Sequence, residues 1–443
     1  MNKRIAGLAI VLGLLTSGFL QAQEKRPITL NEAIKLSLKN SKQLKYNQAK
    51  VEEATAALKE AVEKRLPDAK VSGSYLWLNN ANIEVKSKNN NSGNQSGTPE
   101  VSQAMYGILN ASLPIYTGGR IRYGIESSRY LAEAAKLDAD NEREEVIQKT
   151  IEAYINLYKA KSSVSLVRED LAEAQQRVKD FSNLEKNGLL ARNDLLKAQL
   201  QASNVELALL DAENNWQLAN VNMNLLLGLP EKTELAPDSA MENQKLNVKT
   251  LDEYVQLAYM QRKDIASAEL KKKAAETGVK ATKGEYYPSL SLTGGYIAAD
   301  IPKVLTVTNA VNIGAGVSYN IGSLWKTKAK VQQAEARAKQ AAIGESVLND
   351  NIRLQVNQAY LNWLSSQKKI DVYAKAVEQA TENYRIVKNK YNNSLATTTD
   401  LLDADVAGLQ ARMNFVFAKA DAVVAYNKLL QESGLLDEIE NNK

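Results

Sequence analysis

From Val311 to Ile321 the chain alternates strictly: Val311, Ile313, Ala315, Val317, Tyr319 and Ile321 fall on one side of an extended strand, and Asn312, Gly314, Gly316, Ser318 and Asn320 on the other. Three further stretches carry the same period of two. Val71, Gly73, Tyr75 and Trp77 oppose Ser72 and Ser74. Leu109, Ala111, Leu113 and Ile115 show one face, with Pro114 near the strand end. Leu290, Leu292 and Tyr296 alternate with Ser289, Ser291, Thr293 and Gly295. The polar positions are small and uncharged, where a half-buried soluble sheet usually places Lys or Glu. Apolar-out with small-polar-in is the pattern of a membrane barrel. A sheet packed on a helix competes with that reading for as long as the strands are taken alone.

Around these strands the period changes to that of a helix. From about Arg120 to Lys186 there is no Pro, and Gly124 is the only Gly. Ile147, Ile151, Tyr154, Ile155 and Tyr158 recur at helical spacing, continued by Val164, Val167, Leu171, Val178 and Phe181. Some 66 residues at ~1.5 Å rise make a rod about 100 Å long. A second such rod is predicted over about Lys328–Tyr391. Neither can bury its apolar stripe alone, so both must pack laterally as coiled coils. Shorter opening helices are predicted from about Leu30 to Leu66, ended by Pro67, and from about Leu251 to Tyr286, ended by Pro288.

The two sets of elements are copies of one another. Thr29-Leu30-Asn31-Glu32 matches Thr250-Leu251-Asp252-Glu253 at an offset of 221, which also carries Pro67 to Pro288, Gly73 to Gly294 and Tyr75 to Tyr296. Ala153-Tyr154-Ile155-Asn156 matches Ala359-Tyr360-Leu361-Asn362 at an offset of 206, which carries Asp194-Leu195-Leu196 to Asp400-Leu401-Leu402 and Gly228-Leu229 to Gly434-Leu435. The difference of 15 is an insertion in the first copy between Tyr75 and Ala153. The polar run from Lys86 to Pro99, rich in Asn, Ser and Gly, is its expected seat, a solvated loop. Each copy reads helix, strand, loop, strand, very long helix, turn, helix.

Residues 1–22 read as a secretory signal: Lys3 and Arg4, an apolar run from Ile5 to Leu20, and Ala22 at the cleavage point. The mature chain is then divided into a first repeat, 23–229, a linker, 230–248, expected at mid-height of the long rods, a second repeat, 249–435, and a polar tail, 436–443. No later stretch approaches the ~18 apolar residues of a spanning helix, so membrane entry has to be by strands of a closed barrel. Two hairpins supply four strands, and single-chain membrane barrels need about eight or more. Several chains therefore share one barrel; counting alone does not choose between dimer, trimer and tetramer.

Composition narrows the chemistry. The chain has no His and no Cys, which removes imidazole and thiol catalysis, the usual zinc sites, disulfides and a lipid on an N-terminal Cys. No G-x-S-x-G, P-loop or dinucleotide fingerprint is found, and the many carboxylates read as solvated helix faces. The reading is therefore a non-enzyme without cofactor or metal. The formal charge of +5, or +3 without Lys3 and Arg4, gives no reason to propose nucleic acid.

Each long helix ends in a matched turn. The first runs Lys186-Asn-Gly188-Leu189-Leu-Ala-Arg192-Asn193-Asp194-Leu-Leu-Lys197-Ala198, and the second Tyr391-Asn-Asn-Ser394-Leu395-Ala396-Thr-Thr-Thr399-Asp400-Leu-Leu-Asp403-Ala404. Gly188 supplies a C-cap break, and Asn193 with Asp194, or Thr399 with Asp400, is expected to start the returning helix, where a carboxylate meets unpaired N–H groups. These turns resemble the form G-L-x-A-x-x-D-[LV]-x-x-A of the TolC-like outer-membrane efflux family. The resemblance covers about Leu30 to Leu435, including the duplication, both hairpins and both turns.

That resemblance implies an α+β membrane protein: a homotrimer in outer-membrane lipid with a shared twelve-stranded barrel and a long periplasmic helical barrel, tapering at the turns. A periplasmic adaptor protein and an inner-membrane transporter would dock there, at Gly188, Leu189, Arg192, Ser394 and Leu395. The function implied is a passive exit duct for efflux or type I secretion. Carried over by position, Asp400 and Asp403 ring the periplasmic aperture, attracting cations and raising the pKa of some ring members. Tyr391 and Asp194 match a contact that holds the aperture closed. The family's companion arginine is replaced by Ala396, and its partner position is Asn193, so closure is expected to be held differently, with Arg192 a candidate. Lys197 stands where the second repeat has Asp403, so the ring draws on alternate hairpins only. The competing reading is a periplasmic adaptor or a structural coiled-coil protein, which would be soluble without detergent.

Overall fold

The computed structural model describes residues 25–81, 101–238, 249–302 and 304–436. The signal at 1–22, the loop at 86–99, the linker beyond Asp238 up to 248 and the tail beyond Leu436 lie outside the described residues. The chain divides into two compact units. One comprises 1–48, 139–263 and 349–443; the other comprises 49–138 and 264–348.

In chain order the elements are β1 (Lys25–Ile28), α1 (Leu30–Asn40), α2 (Lys42–Glu63), β2 (Asp68–Ala81), β3 (Val101–Tyr116), α3 (Arg120–Lys186), α4 (Arg192–Leu227) and β4 (Glu234–Pro237). They continue with α5 (Leu251–Gln261), α6 (Lys263–Lys283), a 3₁₀ turn at Gly284–Tyr286, β5 (Ser289–Ile301), β6 (Leu305–Ser318), α7 (Ser323–Asn392) and α8 (Thr398–Glu432).

The second unit contains one four-stranded antiparallel sheet in the order β2-β3-β5-β6. The two hairpins therefore join through β3 and β5, with Leu109 opposite Tyr296 and Leu113 opposite Leu292. The register puts Val71, Leu109, Tyr296 and Val311 in one row across the sheet, and Gly294 beside Ile313 in a nearby row. The expected alternation thus becomes one apolar face, most of it exposed in the single chain: Ile313 is 89% and Val71 79% accessible. Pro114, which lacks the N–H that a ladder needs, marks a register shift before Tyr116.

The opening helices are not continuous, as the periodicity suggested, and the first unit gives the reason. α1 stops at Ser41, whose hydroxyl accepts from Leu44 N–H and so starts α2. The neighbouring Asn40 side chain donates to the carbonyl of Leu227 at 2.6 Å, capping the end of α4. Between α5 and α6 the break falls at Arg262, whose guanidinium donates to both the carbonyl and the carboxylate of Glu432, at 3.1 and 2.5 Å, at the end of α8. A bond to the end of a returning helix outweighs one turn of helical continuity at each place.

A two-stranded parallel sheet, β1 with β4, was not anticipated; four residues in each strand carry too little pattern. Its β4 lies inside the expected linker, held by Asn220 and Asn224 of α4. Leu235 N–H donates to Asn220 Oδ1, and both amide side chains donate to the carbonyl of Thr233. Tyr154 donates to Ile28 C=O and accepts from Asp238 N–H, each at 3.0 Å, and burial raises its phenol pKa.

Candidate functional site

The two turns share one geometry. Gly188 and Ser394 both have positive φ, 72° and 58°. Leu189 N–H reaches Leu184 C=O, and Gly188 N–H reaches Glu185 C=O; Leu395 and Ser394 make the same pair of bonds to Lys390 and Tyr391. This is the Schellman closure, and in the second turn a Ser holds the left-handed position that a Gly fills in the first. The residue after it, Leu189 or Leu395, is about three-quarters exposed, so each turn presents a bare leucine.

The returning helices start earlier than expected. Their N-caps are Ala191 and Thr397, and Asn193 and Thr399 already lie inside the helix. The second start is a full capping box. Thr397 Oγ1 accepts from Asp400 N–H, and Asp400 Oδ2 accepts from Thr397 N–H at 2.8 Å and from its hydroxyl at 2.7 Å. The contact from the Thr397 backbone N–H does most to hold the Asp400 carboxyl below its ordinary range. Ala191 has no side chain to cap with, so the first start lacks the box.

Asp400 and Asp403 lie three apart on α8, neighbours on its surface, and both are exposed. Tyr391 and Asp194, by contrast, are not paired with each other among the described contacts. Tyr391 stacks on Phe181, with centroids 5.7 Å apart and an interplanar angle of 21°. Asp194 faces Lys197, whose ammonium lies 3.5 Å from its carboxylate and 3.2 Å from Thr399 Oγ1 on the other turn. Arg192 lies 3.6 Å from Glu185 across its own turn. Ala396 is half-buried and Asn193 exposed.

What joins the two hairpins is therefore a core of Phe181, Leu195, Ala198 and Leu401, flanked by Val178, Leu190, Tyr384, Val387 and Tyr391. Behind it lies a charged cluster that sequence reading missed. Arg177 of α3 donates to Asp405 of α8 at 2.7 Å and to Tyr384 Oη of α7 at 3.4 Å, and both ions are about nine-tenths buried. Two turns back along α3, Asp170 is 4% exposed, and its Oδ1 has no hydrogen-bond partner. The signal was present: Asp170 and Arg177 are seven apart and fall on the same stripe as Val167, Ala174 and Phe181.

Burial, and next the charges of Asp405 and Glu173, push the Asp170 carboxyl up to about 6, against weaker opposition from Arg412 and Arg177. The folded chain then holds this proton more tightly than the unfolded chain does. Its contribution to stability is complete below about pH 4 and is lost as pH rises through about 6. Asp170→Asn is expected to raise stability at pH 7.5 by about 2 kcal/mol, with little change at pH 4. Unfolding midpoints at the two pH values check this; an Asn variant less stable at pH 7.5 would contradict it.

Among the described residues no group of three or more acidic side chains is arranged to hold a metal.

The family model described as "Outer membrane efflux protein" matches residues 33–229 and 254–435. The chain is 24% identical over 323 residues to the outer membrane efflux protein BepC of Brucella suis, covering 72% of this chain and 70% of that protein. It is 24% identical over 381 residues to the cation efflux system protein CusC of Escherichia coli K12, covering 83% and 78%. Among solved structures, the outer membrane protein VceC of Vibrio cholerae superposes with a TM-score of 0.76 at 20% identity, over 91% of this chain and 96% of that one.

Proposed function

Since the chain belongs to the outer membrane efflux protein family, whose members are outer-membrane channels rather than enzymes, we propose that it is the exit duct of a tripartite efflux or type I secretion system. Small molecules or polypeptides pass through it, driven by its partners. The observation that carries this reading is the sheet. In one chain β2 and β6 each pair on one side only, and the apolar face is bare. Open edges are too costly in lipid, so neighbouring chains must complete the barrel. Three copies give the twelve strands of a homotrimer.

The helices support the same assembly. Leu200, Leu207 and Leu218 of α4 are more than 60% exposed, as are Leu354 and Leu361 of α7, which lie one heptad apart. Apolar stripes of this kind on long helices need a partner helix, and a second copy offers one. The duplicated halves, 23–229 and 249–435, then supply alternate hairpins of the tunnel, with 230–248 at its mid-height. The bare Leu189 and Leu395, with Gly188, Arg192 and Ser394, form the end that an adaptor and an inner-membrane transporter meet. Tyr391 and Asp194 belong to the closed state through the packing each makes: Tyr391 on Phe181, and Asp194 through Lys197 to Thr399.

At that end Asp400 and Asp403 form a ring of six carboxylates in a trimer. Within one chain the capping box favours the charged form of Asp400, so the ring is a cation trap at neutral pH. Asp400→Ala with Asp403→Ala is expected to weaken blockade by a trivalent cation at least about tenfold in planar bilayers, with assembly unchanged. Blockade at the unaltered concentration would remove these residues from the aperture. The absence of any conductance by the wild-type protein would overturn the channel itself.

A further inference from the structure

Charge is distributed unevenly between the two ends of the sheet. The four segments that join it to its helices, 64–70, 116–123, 280–289 and 318–330, hold ten basic side chains and two acidic ones. The whole chain carries only +5, so these segments, at a net +8, leave the rest of the chain at a net −3. At the opposite end, 77–105 and 299–307, the sequence holds three basic and three acidic side chains, a balance of zero.

Three of the ten cations are neutralised within the unit: Lys64 by Glu60, Lys283 by Glu335 and Lys330 by Glu285. The other seven, Arg65, Lys70, Arg120, Arg122, Lys280, Lys326 and Lys328, are all exposed and have no ion pair among the described residues. Large apolar side chains in the same segments stand bare: Leu66 next to Arg65 in sequence, Trp325 next to Lys326, and Tyr287 in the segment of Lys280, each about 60% exposed. An indole or phenol at the foot of a membrane strand marks headgroup level, and long basic side chains beside it reach the phosphates.

We propose that this basic rim binds the phosphate headgroups of anionic glycerophospholipids in the leaflet on the helix side of the outer membrane. The inference rests on the reading of the sheet as part of a membrane barrel. The rim then does two things. It fixes the depth and tilt of the barrel, because the phosphates sit at one level and the seven cations at the strand ends are held there. It also gathers anionic lipid around the duct, since several cations at a surface act together and weaken with salt within a Debye length.

The test uses the full detergent-purified protein placed in lipid discs of phosphatidylcholine with or without phosphatidylglycerol. Lipids retained after partial delipidation are counted by native mass spectrometry. The wild type is expected to retain phosphatidylglycerol over phosphatidylcholine by about tenfold, with the preference fading at high salt. Arg120→Gln with Arg122→Gln, and separately Lys326→Gln with Lys328→Gln, should each lose most of that preference while keeping the oligomer's mass. Equal retention of the two lipids by an intact wild-type oligomer would overturn the rim as a lipid site. So would a preference unchanged in both variants, with the barrel reading untouched. A wild type that is soluble and dispersed without detergent would instead overturn the barrel reading, and this proposal with it.

Discussion

Replacing Arg177 with alanine is expected to loosen the joint between the two hairpins by about 3–5 kcal/mol. Removing this guanidinium leaves Asp405 buried without its partner, beside a second buried carboxyl at Asp170. Two acids of like sign then share an interior that neither can leave without opening the packing of Phe181, Leu195 and Leu401. Amide hydrogen exchange in residues 174–183 and 401–408 reads the effect directly, with rates rising about a hundredfold or more. A triple replacement, Arg177→Met with Asp405→Leu and Asp170→Leu, removes the charges together and is expected to return most of the protection. Exchange within about threefold of wild type in the single variant would show that the ion pair carries no weight in the joint.

Gly118→Ala is expected to cost about 3–5 kcal/mol, because backbone strain and a steric clash add at this position. Gly118 has φ of 64°, a conformation that costs a side-chain-bearing residue about 1 kcal/mol. The clash costs more than the strain: a Cβ there would lie on the carbonyl oxygen of Gly284 and 2.9 Å from Tyr287 Cβ. Gly284 is pressed from its own side too, its Cβ position being 2.6 Å from the Gly118 carbonyl oxygen. The two glycines let the turn after β3 cross the 3₁₀ turn before β5, where strand gives way to helix. Gly124→Ala is the control, since nothing lies within 4 Å of a Cβ there and alanine favours the helix of α3. Thermal unfolding should show a large loss for the first variant and a small gain for the second. Equal midpoints would contradict the close crossing.

Much of this architecture was legible because the patterns that carry it are long. The first rod is found at Arg120–Lys186 because nothing in 67 residues interrupts its period, and the strands follow the alternation around Val71, Leu109, Leu292 and Ile313. What was illegible is decided by contacts across the fold. The breaks at Ser41 and Arg262 exist because Asn40 and Arg262 bond to helix ends 187 and 170 residues away. The start of α8 was misplaced by two residues because three threonines precede Asp400, and only Thr397 stands three residues before it, where a capping box closes. The Arg177–Asp405 pair was hidden by reading charge as surface; on an apolar stripe, charge instead marks a buried partner.

Whether several chains share one membrane barrel is decided by the mass of the particle that detergent extracts from the outer-membrane fraction, corrected for bound detergent. A mass of about three chains, with none in the soluble fraction, is the predicted result. A soluble monomer or dimer would contradict it, and would assign the alternating strands to an ordinary periplasmic sheet and the rods to an adaptor or scaffold.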